Sequence, residues 1–208
     1  MDGKEYLGAT LMPRTTPEEA FIEAQTAMER GDWEGFFVCF VPDNLSTIAE
    51  NGVARFLVGG EYPVFDTICA ANGIPATTIR ELRDHLAQIS ESASHPDYSD
   101  TAKMVQHSER HRLKVQAYQK ALKDMIKAVP DLSRFVAGLE RALRAETGGG
   151  SVSAKLFVEE TLENVSIKGT KAWAKRRTRE GHTEDVGFVK RKGGWYIHLF
   201  ARPPASKR

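Results

Sequence analysis

The hydrophobic period of this chain changes once, at the glycine run 148–150. Before that run, apolar residues recur at three- and four-residue spacing, as on one face of a helix. After it they alternate every second residue, as on one face of a strand. Short glycine-bearing turns separate the alternating segments, and such turns join neighbouring strands only in antiparallel order. A block of helices followed by a meander therefore predicts an α+β fold.

The helical block is well punctuated. In TPEEAFIEAQTAMERG, Thr16 caps, Pro17 suits the first helical position and Glu19 completes a capping box. Ala20, Phe21, Ala24, Ala27 and Met28 form its apolar stripe. Asp32 caps a second helix bearing Trp33, Phe36, Phe37 and Phe40, stopped by Pro42. Further helices are expected over 44–57, 65–72, 78–89 (with a second capping box, Thr78 to Glu81), 101–129 and from Asp131 onward. The TGGG segment reads as a flexible linker. Four strands are expected at 154–167, 171–179, 185–191 and 195–201, the first long enough to need a bulge or break.

Length permits one domain with an insertion. The expected layout is a tail at 1–15 and a single domain at 16–208, with a helical insertion at 58–150 and the meander at 151–202. The longest apolar run, 36–41, falls far short of the roughly 20 residues of a membrane span. The opening MDGKEYLGATLMPR lacks the apolar middle of a signal peptide. The expectation is a cytoplasmic protein without membrane contact. Cys39 and Cys69, the two cysteines, both sit in apolar helical patterns and read as buried thiols.

Three segments carry a resemblance: TPEEAFIEAQTAMERGDWEGFFVCF, LENVSIKGTKAWAKRR and VGFVKRKGGWYIHLF. Together they resemble the nuclear transport factor 2-like superfamily, also called SnoaL-like or cystatin-like. The resemblance covers 16–57 and 152–200. It implies amino-terminal helices packed into a strongly curved antiparallel sheet, a cone, with 58–150 as an all-helical insertion. Val186, Phe188, Trp195, Ile197 and Leu199 would then form the inward sheet face. Members include enzymes such as ketosteroid isomerase, scytalone dehydratase and limonene epoxide hydrolase, which use a Tyr, Asp or His inside the cone. The first helix here offers Phe21 and Gln25 where such a residue would be sought. The resemblance therefore implies a fold more than an activity.

Candidate chemistry is sparse. His107 and His111 are four apart, but HSERH departs from the HExxH zinc pattern, and no metal or cofactor is expected. His198, flanked by Tyr196 and Phe200 on one strand face, is the leading candidate acid or base, with Tyr196 beside it. Trp173, Lys175 and Arg177 share one face of a strand and could grip an acidic ligand. Residues 165–208 carry 12 Lys/Arg against 3 Asp/Glu, a net +9, balanced by −8 elsewhere. The near-neutral total of +1 argues against a nucleic-acid partner. The expected function is a non-enzymatic binding or scaffold protein with a small apolar ligand in the cone, a protein partner or a homodimer contact. The alternatives are an isomerase, dehydratase or cyclase acting on a small hydrophobic substrate, and recognition of an acidic ligand or nucleic acid by the basic sheet face.

Overall fold

The computed structural model describes residues 14–60, 63–93 and 101–201. Residues 1–13, the expected break at 94–100 and the end of the chain from 202 lie outside the described residues. Among the described residues the fold is α+β, with seven helices followed by a four-stranded antiparallel sheet that does not close on itself.

The helices are α1 (Pro17–Glu29), α2 (Trp33–Phe37), α3 (Pro42–Gly59), α4 (Pro63–Ala71), α5 (Ala76–Ala93), α6 (Thr101–Lys127) and α7 (Leu132–Thr147). At α1 the capping box forms as expected: Glu19 N–H donates to Thr16 Oγ1, and the Glu19 carboxylate accepts from Thr16 N–H. The second capping box does not start its helix. α5 begins at Ala76, just past Pro75, so Thr78 lies in the first turn and its N–H donates to the Pro75 carbonyl. Proline at that position already supplies the helical entry.

The strands are β1 (Thr161–Lys168), β2 (Lys171–Arg177), β3 (Thr183–Arg191) and β4 (Gly194–His198), in spatial order β1-β2-β3-β4. The expected first strand is shortened. Residues 154–159 form turns in which Phe157 and Glu159 take left-handed backbone with φ of 69° and 58°. These turns drop the Phe157 ring into the core. A bulge follows between Glu163 and Ser166, with Asn164 at φ 55°, and a bulge bends its strand.

Alternation sorts the sheet faces. Ala172, Ala174, Val186, Phe188, Trp195 and Ile197 are all buried, in one continuous cluster with the helices. Leu199 is only half-buried. An aromatic knot fills the space between sheet and helices: the Phe157 ring lies 4.9 Å from Phe21, 6.0 Å from Phe36 and 6.1 Å from Phe40. Gln25 Nε2 of α1 donates to the Phe157 carbonyl at 2.8 Å, fixing the turn from above.

The outer edge of β4 is covered. Trp195 N–H donates to the Arg14 carbonyl, Ile197 N–H to the Cys39 carbonyl, and Val41 N–H to the Ile197 carbonyl. Such cover prevents strand addition at that edge. Arg14, assigned to the tail by sequence, is thus part of the fold. It is 7% exposed and its guanidinium sits 4.7 Å above the Tyr196 ring.

The 58–150 segment shares the core of the flanking parts. α7 packs on α2 and α3, α5 and α6 pair as a hairpin, and both touch α3. The glycine run after α7 is not a free linker. Gly148 ends the helix in left-handed conformation, and Gly150 lies where a Cβ would come within 1.8 Å of Glu140 Oε1. Glu140 itself is 1% exposed.

Candidate functional site

The sheet's outer face, turned away from the helices, holds Trp173, Lys175, Arg177 and His198, four of the candidates singled out by sequence. The β2–β3 and β3–β4 registers pair Trp173 with Gly187 and Gly187 with His198. Trp173 and His198 therefore stand two strand spacings apart, about 10 Å between backbones, over a residue without a side chain. The next row is Lys171, Val189 and Tyr196.

His198 and Tyr196 consequently alternate with the buried Trp195 and Ile197 and are themselves half-buried. The inward positions of β4 belong to Trp195 and Ile197, and one-residue alternation sends the other two outward. Tyr196 borders a cavity of about 350 Å³ with Arg14, Arg191, Lys192 and Ser133. His198 and Trp173 border another of about 370 Å³, walled by Lys171, Val189, Arg191 and Ala201.

The other two ligand candidates are already engaged. Lys175 Nζ is 2.6 Å from Asp185 Oδ1, and Arg177 Nη1 is 3.9 Å from Glu163 Oε1. Arg179 meets Glu159 at 3.1 Å. On the inward face Arg176 sits between Glu160 (3.1 Å) and Glu184, over the Phe157 ring. Burial raises the Glu160 carboxyl above its usual range, opposed by the charge of Arg176. Much of the sheet's positive charge is therefore neutralised within the chain.

His111 Nδ1 lies 3.0 Å from Ser92 Oγ, tying α6 to α5. Among the described residues no three His, Cys, Asp or Glu side chains gather as metal ligands. No described helix is long and apolar enough to cross a membrane.

Both cysteines are free and buried. Burial pushes each thiol up to about 12, so both are protonated and inert at neutral pH. A disulfide-exchange reagent such as DTNB is expected to leave the native protein unlabelled over minutes and to titrate two thiols in denaturant. Rapid labelling of the native state would show that the turn after α2 or α4 opens.

The fold and site define an α+β protein with a packed interior and a small cationic–aromatic cavity on the exposed sheet face. No protein-family model, curated protein or solved structure matches the chain.

Proposed function

We propose that the chain is a non-enzymatic binding or scaffold protein on a nuclear transport factor 2-like framework, with amino-terminal helices seated in a bent sheet. The observation that carries this reading is the filled interior. Phe21, Phe36, Phe40, Phe157, Phe188 and Ile197 are each 2% exposed or less and pack together in the core shared by sheet and helices. Such an enzyme needs an enclosed cavity with convergent polar groups. Here His198 lies on the opposite sheet face, and Tyr196 sits at the covered edge under the Arg14 guanidinium. A small ligand, a protein partner or a second copy would meet the outer sheet face or the helical region.

Incubation with small hydrophobic ketones, alcohols and epoxides is expected to return them unchanged, and benzene is expected to leave the thermal midpoint where it was. Turnover abolished by His198→Ala would replace this reading with the enzymatic one. Saturable benzene binding would show that the interior is not filled.

A further inference from the structure

We infer that the outer-face cavity lined by Trp173, His198 and Lys171 is a binding site for the oxyanion of a small organic molecule; this rests on the binding-protein reading and names its ligand class.

Four observations converge there. Trp173 Nε1 is buried and has no hydrogen-bond partner. An indole N–H only donates, so the missing partner is an acceptor. Nδ1 of His198, the residue across Gly187, is likewise buried and unpartnered. Leaving such groups unmet costs free energy, and both belong to residues walling this cavity.

The charge around the cavity has one sign. Lys171 and Arg191 line it and no Asp or Glu does. Lys171 has no carboxylate partner among the described residues, whereas Lys175, Arg176, Arg177 and Arg179 on the same hairpin each have one. Arg191 holds only a loose, exposed contact of 3.6 Å to Asp43. An exposed pair of that kind contributes little and leaves the guanidinium open to a better acceptor.

The cavity is also shaped by the backbone. After β4 the chain turns back, with Ala201 N–H donating to the His198 carbonyl, so that Ala201 closes one side. Ala201 packs onto the bare backbone of Gly187, where a Cβ would come within 2.4 Å of the Ala201 Cβ. With about 370 Å³ the space suits a molecule the size of a substituted benzene ring. A carboxylate or a phosphate monoester supplies the same acceptor oxygens to Trp173 and Lys171.

The test follows the indole ¹⁵N–¹H resonance of Trp173, assigned through Trp173→Phe, while phenyl phosphate, benzoate or the neutral benzyl alcohol is added to the protein. Saturable movement with either anion and none with the alcohol is expected. Response to phenyl phosphate alone identifies a phosphate ester, to benzoate alone a carboxylate. Lys171→Met should weaken binding about tenfold, the loss of one charge-assisted hydrogen bond. Trp173→Phe, read by calorimetry, should also weaken it, and Lys175→Met should leave it within about twofold because Asp185 already holds that ammonium. Absence of any anion response, equal affinity in Lys171→Met, or equal loss in Lys175→Met overturns the site. Chemical consumption of a bound probe would leave the site standing and remove the non-enzymatic reading instead.

Discussion

Glu140→Ala is expected to lower the unfolding free energy by about 3–5 kcal/mol, measured by urea denaturation with two independent probes. Glu140 is almost fully buried, and its carboxylate meets three donors. Arg144 Nη2 lies 2.6 Å away, Ser151 N–H 2.8 Å and Val152 N–H 3.3 Å. Arg144 in turn donates to the Val152 carbonyl and lies over the Trp33 ring. Removing the carboxylate strands a guanidinium and two backbone donors at the junction of α7 with the sheet segment. Glu140→Gln keeps the volume and one acceptor, so its expected loss is smaller, about 1–3 kcal/mol. A loss below about 1 kcal/mol in Glu140→Ala would show that this junction does not depend on the clamp.

Phe157→Ala is expected to cost about 3–5 kcal/mol, since it empties the centre of the aromatic knot. The backbone adds a second expectation. Phe157 sits at φ 69°, a conformation that costs a side-chain-bearing residue about 1 kcal/mol or more. Phe157→Gly removes the same ring and relieves that strain, so it should be no less stable than Phe157→Ala. The usual order is the reverse, with glycine the poorer residue. Urea midpoints of the two variants decide the matter, and a glycine variant clearly below the alanine one would mean that the turn is not strained.

The helices and the face of each strand could be read from spacing, because capping boxes, prolines and period-2 alternation are local. The fate of the LFVEE stretch could not. Ala154, Leu156 and Val158 fall at every second position like one strand face, but the segment bends into turns held by Gln25, 132 positions before Phe157. The glycine run looked like a linker because the carboxylate that fixes its far end, Glu140, lies about two turns back in α7 and bonds Ser151 and Val152 just beyond the run. At the candidate site, the shared face of Trp173 and Lys175 was visible in β2 alone. The meeting of Trp173 with His198 required the pairing of three strands through Gly187. Lys175 and Arg177 looked available because their neutralising carboxylates, Asp185 and Glu163, lie on neighbouring strands.

The covered edge of β4 has a consequence for synthesis. Its partners, Arg14 and the Cys39–Val41 turn, are synthesised well before the strand they hold. Throughout translation the phenylalanines of α1 and α2 therefore wait without their sheet, a state in which exposed apolar surface invites aggregation. Nascent chains stalled before residue 161 should accordingly be strong clients of cellular chaperones, and release from them should coincide with completion of the final hairpin.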